Sequence, residues 1–190
     1  MGTRDRILDA AEQAIHEYGM AGATTKRIAR LAGCSEALLY KHFDGKEALL
    51  LAVLLERLPA LGPALETLRK GVGQGDVTAN VTEFALAAVD FYTRAALIAS
   101  GLLGDPSLLA GFRAMLAEQG TGPHLPIAAV AGVLAEEQRL GRIDPGIDAD
   151  AAAALLMGAC FHRANLSYLV DLAGEPGPWA ASIVRTLLRR

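Results

Sequence analysis

Apolar residues recur at intervals of three and four positions along most of this 190-residue chain. Such spacing places them on one side of an α-helix, so the pattern predicts an all-α protein. Apolar residues make up 52% of the chain, and most are alanine and leucine, which favour helix. Glycines, prolines and capping residues divide the pattern into nine predicted helices. These helices lie at about 3–18, 25–32, 35–43, 44–70, 77–103, 106–118, 124–140, 148–173 and 179–190.

The fourth predicted helix contains two prolines, Pro59 and Pro63. A proline inside a helix removes one backbone hydrogen bond and kinks the helix. We therefore expect a single kinked helix that begins near Asp44, in the N-terminal domain, and reaches Lys70 in the next domain.

Residues 24–47 contain two short amphipathic helices that are joined by a tight turn and followed at once by a third helix. Thr24 or Thr25 can cap the first helix, and Ser35 can cap the second. Gly33 lies between them, where a helix ends in the left-handed conformation that only glycine adopts without steric cost. This layout is typical of a helix-turn-helix DNA reader, although an ordinary helical hairpin has the same spacing.

The charges in this window favour the DNA reader over the ordinary hairpin. The whole chain has a net charge of −3, yet residues 24–46 carry five basic side chains against two acidic ones. Tyr40, Lys41 and His42 are consecutive at the end of the second helix, where packing alone does not require three large polar groups. A localised cluster of cations and hydroxyls is suited to binding phosphate.

This window resembles the DNA-binding domain of the TetR family of transcriptional repressors. The resemblance covers residues 3–50, whereas the remaining residues match the family only in helical character and length. It implies a helix-turn-helix DNA-binding domain of three helices at 1–47 and a helical effector-binding and dimerisation domain at 48–190. The matching residues are Thr24, Thr25, Ile28, Ala29, Ala32, Gly33, Ser35, Leu39, Tyr40, His42, Phe43, Lys46, Glu47 and Leu49.

The resemblance also implies which side chains face DNA. Phosphate contacts are expected from Thr25, Tyr40, Lys41, His42 and Lys46. Base contacts are expected from Lys26 and from the start of the second reader helix, namely Glu36, Ala37 and Leu38. Ser35, which caps that helix, is a further expected DNA-binding residue. In chemical terms, a glutamate here can accept a hydrogen bond from a cytosine amine, and a leucine can contact a thymine methyl.

The rest of the chain shows no catalytic or metal-binding motif. The four histidines (16, 42, 124 and 162) are too far apart in sequence to suggest a metal site, and no phosphate loop or nucleophile elbow occurs. The two cysteines, Cys34 and Cys160, do not form a disulfide framework, and Cys34 is interpreted as a small core residue rather than a redox sensor. We therefore expect no enzyme activity, no cofactor and no metal.

A small set of polar residues interrupts the apolar pattern of the second domain. Tyr92, His162 and Asn165 are candidate anchors for a ligand, although each can equally be a surface residue or a satisfied core group. The central helices carry few charges, so the expected effector is an apolar or amphipathic organic molecule. In family terms the last two helices pair with their copies in a homodimer. They supply Leu155, Leu156, Phe161, Leu166, Leu169, Trp179, Ile183, Leu187 and Leu188.

The uncharged segments are too short to cross a membrane. The runs at 125–135 and 151–161 each span eleven residues, below the ~20 that a membrane helix needs. Charged residues from Arg4 onward argue against a signal peptide, so a cytoplasmic protein is expected.

The resemblance thus implies a ligand-released repressor that binds a palindromic operator as a dimer. Two other classes stay open: a helical adaptor whose basic hairpin binds an acidic protein partner, and a small-ligand carrier or enzyme with a vestigial reader.

Overall fold

A computed structural model describes residues 2–57 and 61–188, and this part of the chain forms ten α-helices. They are α1 (Thr3–Gly22), α2 (Thr25–Leu31), α3 (Glu36–His42), α4 (Gly45–Glu56), α5 (Gly62–Lys70), α6 (Val77–Leu103), α7 (Pro106–Glu118), α8 (His124–Arg139), α9 (Ala149–Leu166) and α10 (Pro176–Leu187). Within the described residues the protein is all-α, as the apolar spacing predicts.

The prediction of one kinked helix over 44–70 is wrong, because two helices occupy that stretch. Helix α4 ends at Glu56, and α5 begins at Gly62. Pro63 lies in the first turn of α5, where a missing backbone N–H leaves no helical hydrogen bond unmade. The expected kink at Pro59 lies outside the described residues.

The chain forms two compact units, each assembled from two segments. Unit 1 comprises Met1–Pro59 and Arg94–Thr121, and unit 2 comprises Ala60–Thr93 and Gly122–Arg190. Helix α6 therefore contributes its first part to unit 2 and its last part to unit 1. The functional division at residues 47 and 48 stays a prediction.

The core of unit 1 is formed by the apolar sides of its helices. Its largest fully buried side chains are Ile7, Leu8, Ile15, Ile28, Leu39, Leu49 and Leu108. Helix α1 is interrupted at Gly19, whose φ of 69° lies in the left-handed region. Polar contacts join its start to α4: the guanidinium of Arg4 donates to both carboxylate oxygens of Glu56, at 2.7 and 2.6 Å. This bidentate contact holds the pKa of Glu56 below its usual range.

The core of unit 2 contains α5, α8, α9, α10 and the first part of α6. Apolar residues are spread evenly around helix α9, so its inward face cannot be identified from hydrophobicity alone. Leu156, Met157 and Cys160 are buried in the unit, whereas Leu155 and Phe161 are exposed. Leu156, which the sequence assigned to a dimer interface, is thus a core residue of its own unit.

Candidate nucleic-acid interface

The backbone of the α2–α3 segment is fixed by local signals that the sequence displays. The Thr24 hydroxyl accepts from the backbone N–H of Arg27 at 3.3 Å, so Thr24, and not Thr25, caps α2. Ser35 caps α3 by accepting from the backbone N–H of Leu38 at 3.1 Å. Between the two helices Gly33 has a φ of 65°, the left-handed geometry expected of a glycine in this turn.

Packing of the apolar side chains decides which residues of this segment meet solvent. Ile28, Leu39 and Phe43 are buried in the core of unit 1. Of the predicted DNA-binding residues, Thr25, Glu36, Leu38 and Lys46 are half-buried. The others are exposed, namely Lys26, Ser35, Ala37, Tyr40, Lys41 and His42. The segment therefore presents most of its cations and hydroxyls to solvent. We call the ten predicted residues, which lie on α2, α3 and the start of α4, the reader surface.

Two residues of the reader surface are joined by a short hydrogen bond that the sequence does not reveal. Thr25 is the first residue of α2, and Glu36 is the first residue of α3. The Thr25 hydroxyl donates to Oε1 of Glu36 at 2.7 Å, and the Tyr40 hydroxyl donates more distantly, at 3.4 Å, to Oγ1 of Thr25. These contacts connect the starts of the two helices, eleven residues apart in the chain.

Two cations of this segment, Arg27 and Lys46, differ in how many contacts they make with the protein. The guanidinium of Arg27 stacks over the ring of Tyr18 at 4.0 Å and donates to the carbonyl of Gly22 at 2.6 Å. Arg27 therefore braces α2 against the end of α1. The ammonium of Lys46 lies 3.4 Å from the carbonyl oxygen of Met20, a long contact that leaves its other donors available.

A shallow depression of about 260 Å³ lies on the outside of α2. Its lining is Thr24, Lys26, Arg27 and Arg30. Three of these four residues are basic, so the depression adds to the positive side of unit 1. The predicted contact residues do not include Arg27 and Arg30. These two arginines are three positions apart and so lie on one face of α2, a spacing that could have indicated them.

The three predicted ligand anchors have different environments in unit 2. Tyr92 packs edge-on against Phe91 and Phe161, with ring centroids 5.2 and 5.4 Å apart, and burial raises its pKa. His162 is exposed, and the amide of Asn165 donates to the carbonyl of Phe161 at 2.7 Å, within its own helix. The structure therefore does not gather the three side chains around one described cavity.

The described cavities of unit 2 are small or open and lie elsewhere. A cavity of about 110 Å³ is lined by residues of α5 and α6, including Leu68, Asn80 and Phe84. This volume is below the roughly 300 Å³ at which pockets for drug-sized ligands begin. Among the described residues no group of three or more His, Cys, Asp or Glu is arranged to hold a metal ion.

Comparison of the sequence with known protein families agrees with the helix-turn-helix geometry of α2 and α3. Residues 7–53 match the bacterial regulatory proteins of the tetR family, and this stretch includes the whole reader surface. This match covers 47 of the 190 residues, about a quarter of the chain.

Similarity to curated relatives covers a short part of the chain. An HTH-type transcriptional regulator of Mycobacterium tuberculosis is 45% identical over 58 residues, which cover 30% of this chain and 29% of that relative. The chain thus matches less than a third of that relative's length.

Similarity of fold extends over nearly the whole chain. A TetR-family regulator structure from Mesorhizobium loti aligns with a TM-score of 0.76 at 20% identity, over 98% of this chain and 95% of that one. The structure of the Bacillus subtilis regulator FadR in complex with stearoyl-CoA aligns with a TM-score of 0.66 at 18% identity, over 97% of each chain. These alignments show that the chain shares the fold of both structures. In the described part of the chain no helix is long and apolar enough to span a membrane.

Proposed function

We propose that this protein is a DNA-binding transcriptional regulator that acts as a ligand-released repressor. The observation that carries the proposal is the reader surface, where cations and hydroxyls of two capped helices face solvent above a shared core. Such a surface is suited to the phosphates and base edges of duplex DNA.

In this proposal most reader residues position the protein on the DNA backbone. Tyr40, Lys41, His42 and Lys46 contact phosphates, and Thr25 lies among them. Lys26 and the α3 start, with Ser35, Glu36, Ala37 and Leu38, face base edges in the major groove. The basic depression on α2 supports a phosphate path along that helix.

We further propose a homodimer that binds a palindromic operator. The exposed positions of α9 include Leu155, Phe161 and the alanines 151 and 154, with the polar residues Asp150 and His162 toward its two ends. An apolar face of this kind is stabilised when a second copy covers it. Two readers held at a fixed spacing bind two half-sites, which raises affinity and sets the operator geometry.

The proposed effector is an apolar or amphipathic organic molecule that binds unit 2. The aromatic cluster of Phe91, Tyr92 and Phe161 supports this ligand class, and Tyr92, His162 and Asn165 remain the proposed anchors. The FadR structure carries stearoyl-CoA in the same fold, so a long acyl chain is a reasonable first probe. A ligand that binds one conformation better shifts the protein away from the form that fits the operator.

An electrophoretic shift assay tests the DNA-binding proposal. The probe is duplex DNA from upstream of the protein's own gene, compared with an unrelated duplex over a series of salt concentrations. We expect salt-dependent binding and tighter binding to the upstream DNA. Lys46→Ala should weaken binding and lower the slope of log affinity against log salt by about 0.9, because one fewer counterion is released. Tyr40→Ala should also weaken binding.

The matched control is Lys70→Ala, since Lys70 is an exposed lysine of unit 2 outside the reader surface. Melting curves establish that each variant remains folded. Unchanged affinity in both Lys46→Ala and Tyr40→Ala would show that the reader surface is wrongly assigned. Absence of duplex binding together with capture of an acidic protein would instead favour the adaptor function.

A further inference from the structure

We infer that Thr25 is a positioning residue for Glu36, and that Glu36 reads a cytosine in each operator half-site. The inference rests on the proposed DNA-binding function and deepens it. It also changes the role of Thr25, which the family resemblance implies to be a phosphate contact.

The geometry commits the Thr25 hydroxyl proton to Glu36. The two side chains are 2.7 Å apart from Oγ1 to Oε1, with Thr25 as the donor. A hydroxyl has a single proton, so Thr25 cannot donate to a phosphate while it donates to this carboxylate. The Tyr40 hydroxyl donates to Oγ1 of Thr25 at 3.4 Å. Because Thr25 then accepts from Tyr40, its own proton is directed to Glu36.

The same bond leaves half of the Glu36 carboxylate available. In the described part of the chain Oε2 accepts no hydrogen bond from the protein, and Glu36 forms no ion pair there. Its recorded side-chain partner is thus a neutral hydroxyl, which orients the carboxylate without neutralising it. Both residues are half-buried, so the side chain has less rotational freedom than an exposed glutamate.

The Glu36 carboxylate can discriminate between bases, because it is held in place and keeps its charge. It lies at the start of α3, the helix that enters the groove in this proposal. The N4 amine of cytosine donates toward the major groove and pairs with glutamate. Guanine O6 or thymine O4 at the same place would set an acceptor against an acceptor. Where no donor is present the carboxylate also repels the nearby phosphates, so Glu36 disfavours incorrect sites as well as favouring correct ones.

Thr25 can be altered without removing the helix cap. Because Thr24 performs the capping of α2, Thr25→Val removes only the hydroxyl and keeps the side-chain shape. Thr25→Ser restores a hydroxyl at the same position. The pair therefore isolates the hydrogen bond to Glu36 from effects on folding.

The experiment selects bound sequences from a pool of randomised duplexes with the full-length protein and three variants: Glu36→Ala, Thr25→Val and Thr25→Ser. We expect the unaltered protein to select one cytosine per half-site, and Glu36→Ala to lose that preference. Replacing the selected C·G pair should weaken binding of the unaltered protein by roughly tenfold or more. Thr25→Val should reduce this discrimination, and Thr25→Ser should restore it.

The results that would overturn this inference differ from those that would overturn the DNA-binding proposal. If Thr25→Val weakens binding equally on all sequences and keeps the cytosine preference, Thr25 is a phosphate contact and the inference is overturned. A Glu36→Ala variant with unchanged base preference overturns it as well, and either result leaves the DNA-binding proposal intact. If the unaltered protein binds no duplex in a salt-dependent manner, both proposals fail.

Discussion

Nε of Arg142 lies 2.7 Å from Oε2 of Glu137, and this carboxylate is almost fully buried, with 2% of the residue exposed. The other oxygen of Glu137 accepts from the backbone N–H of Gly73 at 3.1 Å. Arg142 also donates to the carbonyls of Gln74 and Gly75, at 3.0 and 2.7 Å. One ion pair thus attaches the 71–76 loop to the end of α8.

The first prediction concerns this buried pair. Arg142→Ala leaves the Glu137 carboxylate buried without its cation, so the free energy of unfolding should fall by about 3–5 kcal/mol. The matched control is Arg139→Ala, because Arg139 pairs with Glu136 on the exposed side of the same helix. That change should cost less than about 1 kcal/mol. Urea unfolding measures both values, and equal losses would contradict the prediction.

The second prediction concerns the close contact of Gly101 with Met20 in unit 1. A Cβ atom at Gly101 would clash with Cβ and Cγ of Met20, and Met20 is buried directly after the interruption at Gly19. Gly101→Ala should therefore destabilise the protein by about 1–3 kcal/mol through overpacking. Gly132→Ala is the control, since Gly132 is an exposed helical position with open space around its Cβ direction. It should instead stabilise the protein, by about 0.5–1 kcal/mol. Thermal melting compares the two, and a stable Gly101→Ala variant would show that α6 can shift away from Met20.

The elements that the sequence predicts correctly are those with local signals. Ser35 and Gly33 determine where α3 begins and how the preceding turn runs, and both act through neighbours within a few residues. The all-α fold follows in the same way from apolar spacing. Pro63 shows the limit of such signals, because a proline inside a predicted helix and a proline that begins a new helix look alike in sequence.

Contacts between distant residues could not be predicted. The Thr25–Glu36 bond depends on how α2 crosses α3, and no spacing rule joins residues eleven positions apart on two helices. Helix α9 presents a related problem, because its apolar residues are spread evenly around the helix. Only packing separates Leu155, which is 62% exposed, from its buried neighbour Leu156, which is 1% exposed.

The third prediction uses this pair of adjacent leucines to test the proposed dimer. Leu155→Asp should yield folded monomers with weak operator binding, because a charge on the outward face of α9 remains unpaired in an apolar interface. Leu156→Asp should instead unfold unit 2, since the charge is placed in its core. Light scattering and circular dichroism distinguish the two results. A Leu155→Asp variant that still scatters as a dimer would place the interface elsewhere.

The fourth prediction links effector binding to operator release. Compounds that bind unit 2 should raise the melting temperature and lower operator affinity together, because both effects arise from preference for one conformation. The panel should include long-chain acyl compounds, aromatic compounds and small polar controls, with melting and shift assays on the same samples. A panel in which every stabilising compound left operator affinity unchanged would argue against ligand-released repression.

The last prediction concerns the two thiols. Burial raises the pKa of Cys160 to about 12, and its thiol donates to the carbonyl of Ala85 at 3.5 Å. At pH 8 only about 1 in 10⁴ of these thiols is ionised, and the thiolate is the reactive form. Cys34 is half-buried in the turn before α3, so part of its side chain is accessible.

A thiol reagent should therefore modify one cysteine per chain in the folded protein and two in denaturant. Cys34→Ser should remove the fast reaction, and the slow one should stay limited by unfolding between pH 7 and 9. Rapid modification of Cys160 in the folded Cys34→Ser variant would mean that α9 opens far more readily than its packing indicates.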